Sequence, residues 1–241
     1  KTWIWPQDGW AAATGASWPP PATADSGPYD FTALSNGVRM VSPVVPGYGV
    51  RLVRQITLPA ASGTRVDDEA WLEPMGEETN APLFSAWSIV QVPLRDAQIF
   101  ARVSFPARDW VRLGTDPALP KGTRMGTSNV LKLNRDKTVW MKSGTEVDAF
   151  AVRRGGTVFT LTQTGLDTPT GIRYGDRLQV CTSPDVSPCF PEESGPYAEL
   201  EFTVPLATRD AVQKHRLHLV WNLSPITDNA TDDDVAARLF Q

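Results

Sequence analysis

Glu199 and Glu201, in the stretch PYAELEF, are two carboxylates separated by one apolar residue, Leu200. In an extended strand both project from the same face. Two acids on one face can work as a general acid and base, or can accept hydrogen bonds from sugar hydroxyls. The same pattern also describes a solvent-facing edge strand with Leu200 and Phe202 turned inward. The chain has two histidines, His215 and His218, both in HRLHLVWNL. A strand points them to opposite faces, so they enter one site together only if a bulge intervenes. His215 shares its side with Leu217, Leu219 and Trp221 and reads as a core-rim residue. His218 shares its side with Arg216 and Asn222, a more polar setting, and neither histidine alone marks a site.

In TVWMKSG, Trp140 and Lys142 fall on one strand face. That pairing suits an anionic sugar, and equally a solvated lysine beside a packed indole. The opening KTWIWPQDGW brings Trp3, Trp5 and Trp10 close together, with Trp18 shortly after. An indole face stacks on the apolar side of a pyranose, and Gln7 and Asp8 would supply hydrogen bonds. The alternative is that these rings close the open end of a sandwich and keep water from its core. Cys181 and Cys189 flank the turn TSPDVSP and could close a short disulfide loop, although spacing alone does not fix the Cβ geometry. A bridge would place the chain in an oxidising compartment, periplasmic or secreted. Zinc would need two further ligands of suitable spacing, which the neighbouring sequence lacks. No phosphate-binding glycine loop, zinc-protease helix or nucleophile elbow is present, so the sequence implies no cofactor.

These residues must be held by strands. Alternation runs through Val38–Val41 and Val50–Leu58, and again at Arg65–Glu73, Phe84–Pro93, Gln98–Val103, Asn129–Leu133, Thr138–Lys142, Val147–Val152 and Val158–Gln163. Further strands are expected at Gln179–Thr182, Ala198–Val204 and His215–Asn222, so ten or more in all. Residues 1–30 show neither period and read as an extended aromatic segment. The tail TDDDVAARLFQ is the one helix signal, with Thr231 as N-cap and three aspartates at the positive end of the dipole. Strands follow strands without helical crossovers, which predicts an all-β fold, a large antiparallel sandwich of two sheets in a single domain over 1–241. Twenty-one prolines and eighteen glycines, spread along 241 residues, supply the turns. A net charge of −4 without a long basic cluster excludes nucleic acid as a partner. No apolar run approaches the roughly 20 residues of a membrane helix. The sequence says nothing about oligomeric state.

Three stretches carry a resemblance: IWPQDGW with WPPP; GYGVRLVRQITLP through NAPLFSAWSIVQVP; and PYAELEFTVPL followed by HRLHLVWNL. In pattern and order they resemble a bacterial family of the galactose mutarotase-like group, whose fold is a large antiparallel supersandwich. The resemblance spans nearly the whole chain. It implies a sugar site on the concave face of one sheet, with Trp5, Gln7, Trp87, Gln91, Lys142, Glu199 and Glu201 carried over by position. It also implies that strands found before the tryptophan-rich segment in related chains are lacking here, leaving a sheet edge unpaired or supplied by another piece. True mutarotases carry a histidine in a TNH-type segment, whereas TNAPLFSAW here has none. Anomer interconversion needs an acid and a base, and beyond Glu199 or Glu201 as base the acid would have to be His218 or Lys142. The expected function is therefore binding of a mono- or oligosaccharide, as part of bacterial glycan use. The alternatives are a hydrolase, lyase or epimerase using Glu199 or Glu201 as acid or base, and a structural module.

Overall fold

The computed structural model describes residues 1–15, 20–59, 63–76, 83–103, 111–112, 121–125, 129–134, 137–145, 147–165, 178–185 and 195–240. Its strands are β1 (Thr2–Trp5), β2 (Asp30–Leu34), β3 (Gly37–Val41), β4 (Val50–Thr57), β5 (Arg65–Pro74), β6 (Ser85–Pro93), β7 (Ala97–Val103), β8 (Val111–Arg112), β9 (Lys121–Arg124), β10 (Val130–Asn134), β11 (Met141–Thr145), β12 (Val147–Arg154), β13 (Thr157–Thr164), β14 (Leu178–Thr182), β15 (Tyr197–Thr203) and β16 (Leu217–Pro225). The α-helices are short: α1 (Trp10–Thr14), α2 (Ala22–Asp25), α3 (Arg209–Val212) and α4 (Asp232–Ala237). The fold is thus mostly β, as alternation predicts. The strands form two sheets, one ordered β1-β6-β15-β14-β11-β8 and the other β2-β3-β4-β5-β16-β13-β12-β7-β10-β9. Among the described helices, none is long and apolar enough to cross a membrane.

Two expectations need correction. The opening is not purely extended, because Thr2–Trp5 pairs with β6 in register Trp3↔Trp87 and Trp10–Thr14 forms a helix. Elements of four and five residues are too short to show a period in sequence. The strand expected over Thr138–Lys142 instead runs Met141–Thr145, in register with β14.

The chain divides into two compact units. The first comprises Lys1–Ile89, Gln163–Ile172 and Phe202–Val220. Here Leu52 and Leu72 oppose one another across β4 and β5, and both are buried. Tyr48 meets the Phe84 ring edge-on, with centroids 5.1 Å apart. Arg54 grips Asp68 through two hydrogen bonds of 2.8 Å. A carboxylate this deeply buried is tolerated only with such a partner. Gly47, at φ 80°, passes so close to helix α1 that a Cβ would overlap the Ala13 carbonyl.

The second unit comprises Val90–Thr162, Arg173–Glu201 and Trp221–Gln241. Its core joins Phe100, Val130, Ala149, Ala151 and Val158 to Val235, Ala236 and Leu239, so the C-terminal helix covers the sheet. Polar contacts fix that helix at both ends. Lys132 Nζ reaches Asp232 at 2.6 Å, and Arg102 donates to Asp148 and to the Leu239 carbonyl. Thr231 is the N-cap in a reciprocal capping box. Its hydroxyl accepts from the Asp234 amide, and its own amide donates to the Asp234 carboxylate at 2.7 Å.

The Thr231 hydroxyl and amide hold the Asp234 carboxyl below the ordinary aspartate range. Folding therefore favours the ionised form. Its contribution is complete above about pH 4 and is lost as the pH falls below that. Thr231→Ala should lower unfolding stability in urea by about 1 kcal/mol at pH 7. The difference between wild type and Asp234→Asn should shrink between pH 5 and pH 2, values that bracket an ordinary aspartate pKa of about 4. A difference that stays constant over that range would show that Asp234 gains nothing from its charge.

Candidate functional site

Alternation along β15 buries Ala198, Leu200 and Phe202 on one side and aligns Tyr197, Glu199 and Glu201 on the other. The two acids then part company. Glu199 is half-buried and accepts from Gln91 Nε2 at 2.9 Å. An ionised carboxylate can only accept, so the amide nitrogen must face it and the Gln91 oxygen must turn away. Among the described residues Gln91 is the only partner of Glu199, through Oε1, which leaves Oε2 open.

Glu201 is 1% exposed and meets Lys142 Nζ at 3.0 Å. Lys142 lies opposite Cys181, on strand β14, which stands between β11 and β15. Two strand spacings are about 9.5 Å, so the lysine stem crosses over β14 to reach the acid. Removing a carboxylate from water costs several kcal/mol, and the ammonium offsets this only while that geometry holds.

Trp140, just before β11, packs edge-on against Tyr197, with centroids 5.9 Å apart and ring planes at 75°. Both rings are half-buried. The second unit therefore gathers Gln91, Glu199, Glu201, Lys142 and Trp140 of the residues expected from sequence. It adds Tyr197, which the sequence reading missed, although the alternation that pairs the two acids also puts Tyr197 beside them.

The opening segment belongs to the first unit, and there its rings pack. Trp3 lies edge-on to Trp10 and to Trp87 at 5.8 and 5.4 Å, and Trp5 lies edge-on to Trp87 at 5.1 Å. Trp3 Nε1 donates to Asp25, and Trp10 Nε1 donates to the Ile4 carbonyl. Trp3, Trp10 and Trp87 are buried, and Trp5 alone of the four keeps a partly open ring. Trp87, expected at a ligand, is thus a core residue, because its strand register with Trp3 draws it into the cluster. Gln7 is half-buried in a single 3-10 turn.

His218 lies on β16 in the ten-stranded sheet, whereas both glutamates lie in the six-stranded sheet. Its Nδ1 is 2.7 Å from Thr164 Oγ1 and its Nε2 is 3.5 Å from Asp67. His218 thus has its own partners in the first unit. Among the described residues no group of three or more His, Cys, Asp or Glu is arranged to hold a metal. Cys189, and with it the expected bridge to Cys181, lies outside the described residues, as does Trp18.

No protein-family model matches the sequence, and no curated protein is similar to it. Among solved structures, the chain resembles a protein of Escherichia coli K12 whose assignment as an aldose 1-epimerase is itself provisional. The TM-score is 0.57 at 13% identity, covering 83% of this chain and 69% of the other. It is also similar to the alpha-N-acetylgalactosaminidase NagBb of Bifidobacterium bifidum, a quadruple mutant. That match has a TM-score of 0.43 at 15% identity and covers 91% of this chain but 30% of the enzyme. The first likeness shows the fold, an antiparallel sandwich shared with the epimerase-like protein.

Lys142→Met should destabilise the protein by about 3 kcal/mol, because it takes the ammonium away from a buried carboxylate. Adding Glu201→Leu should recover most of that loss, giving a large interaction energy in a double-mutant cycle by urea unfolding. Additive losses would show that the pair is not coupled.

Proposed function

We propose that this chain binds carbohydrate on the face that carries Gln91, Glu199, Lys142 and the Trp140–Tyr197 pair. The observation behind it is a half-open carboxylate held by a glutamine, beside partly open aromatic rings, on one face of a rigid sheet. Aromatic edges cover the apolar side of a sugar ring while fixed acceptors take its hydroxyls. In this reading Glu201 is a positioning residue, buried beneath Lys142. The fold shared with an epimerase-like protein supports a sugar ligand.

An enzymatic reading has one observation in its favour, the different surroundings of Glu199 and Glu201. Two like groups in unlike environments can take unlike roles. Calorimetric titration against a panel of mono- and oligosaccharides separates the readings from inert packing. A saturable sugar whose affinity falls at least about fivefold in Trp140→Ala supports the site, since base or sugar stacking is worth on the order of 1 kcal/mol or more. A panel without any binding would sink it. Turnover of the bound sugar that disappears in Glu199→Gln would decide for catalysis.

A further inference from the structure

We propose that β2 is a self-association edge, on which a second copy of this chain pairs its own β2 antiparallel about a two-fold axis. β2 ends the order β2-β3-β4-β5, and among the described residues no strand follows it on its outer side. The hairpin fixes which of its backbone groups are left over. The Leu58 amide bonds the Asn36 carbonyl while Gly37 stands opposite Thr57, so the Gly37, Arg39 and Val41 peptide groups turn from β4 toward β2. Their partners Leu34, Thr32 and Asp30 spend their own amides and carbonyls inside the hairpin. Phe31 and Ala33 therefore direct theirs outward.

The side chains add to this open ladder. Phe31 is 70% and Leu58 56% exposed. Phe31 stands opposite Met40, and Ala33 opposite Val38, which in turn opposes Ile56. One face of the hairpin is thus a run of apolar side chains that solvent reaches. Natural edge strands are commonly guarded by lysine, proline or a bulge. The sequence DFTAL has no lysine and no proline, and it pairs with β3 in unbroken register.

The strand is also complementary to itself. With Thr32 of each copy on the axis, Phe31 of one stands opposite Ala33 of the other, and each such pair exchanges both of its backbone hydrogen bonds. The small Ala33 side chain leaves room for the ring, and the two Phe31 rings meet on the diagonal, within aromatic reach. Asp30, the only charged residue of the strand, stands opposite Leu34, so no like charges oppose one another. A two-fold contact uses up both edges, so association stops at the dimer.

The test is sedimentation velocity of the full chain across a concentration series. A strand of five residues makes a small interface, so the dimer should form with a Kd on the order of 10 to 100 μM. Ala33→Pro removes an outward amide, and Phe31→Lys puts a charge on the apolar face. Each should weaken dimerisation at least about tenfold. Both variants should keep near-native melting temperatures, because proline is tolerated where an edge amide faces solvent and Phe31 is mostly exposed. If Ala33→Pro misfolds, Phe31→Lys alone gives the answer. In hydrogen exchange, the Phe31 and Ala33 amides should gain protection as the protein concentration rises. A monomer up to about 200 μM, well above that Kd range, would overturn the inference. So would a dimer that both variants leave unchanged, or an open series of larger species.

Discussion

A carboxylate with 1% of its side chain exposed is held in the middle of β15, and Lys142 must come to it across an intervening strand. An uncompensated charge at that depth would cost several kcal/mol, a large share of the 5–15 kcal/mol that stabilises a whole domain. The demand reaches well beyond the pair. It requires β11, β14 and β15 to stand in their observed order, and it requires the register that sets Lys142 against Cys181. A slip of one residue would turn Lys142 to the opposite face and bring Met141 or Ser143 in its place. The polar face of the second unit is therefore fixed by an electrostatic need as well as by its hydrogen-bond ladder.

The two units solve the problem of charges on a sheet in different ways. In the first, the buried Arg54–Asp68 pair is bidentate, so geometry supplies what solvent cannot. Nearby, Trp71 lies between the Arg39 and Arg216 guanidinium groups, 5.5 and 4.4 Å from its ring, while Glu73 accepts from both Arg39 and the indole nitrogen. Most of that set is internally matched, although Arg39 Nε is buried without a hydrogen-bond partner. In the second unit Glu199 is held, among the described residues, by a neutral amide. The difference separates a charge cluster knit together across strands from a carboxylate that keeps an oxygen without a partner among the described residues.

Much of the fold was legible because a half-buried strand writes its burial into alternate letters. The runs at β4, β5, β13 and β15 are long enough for that pattern to be read within a residue or two. It fails where the element is short: β1 has four residues and β8 has two. At β11 the apolar pair Val139–Trp140 drew the expected strand too early, whereas pairing with β14 begins at Met141. The fate of the opening tryptophans was not legible at all. Trp3 and Trp10 could stack on a sugar or on one another, and it is the partner strand β6, distant in sequence, that brings Trp87 against both. His218 shows the same limit, since alternation gave its side of the strand but not Thr164 and Asp67, its partners there.

The acids show most clearly where local pattern ends and tertiary structure begins. Strand geometry assigns Glu199 and Glu201 to one face and treats them as equivalent. What separates them is the neighbouring strands: β6 offers Glu199 a glutamine, and β11 offers Glu201 a lysine. An amide leaves the carboxylate its charge and half its lone pairs, so Glu199 remains able to accept from something outside the protein. An ammonium at 3.0 Å from a buried acid compensates that charge inside the protein. The chemical character of the face follows from this division, because it buries Glu201 against Lys142 and leaves Glu199 half-open.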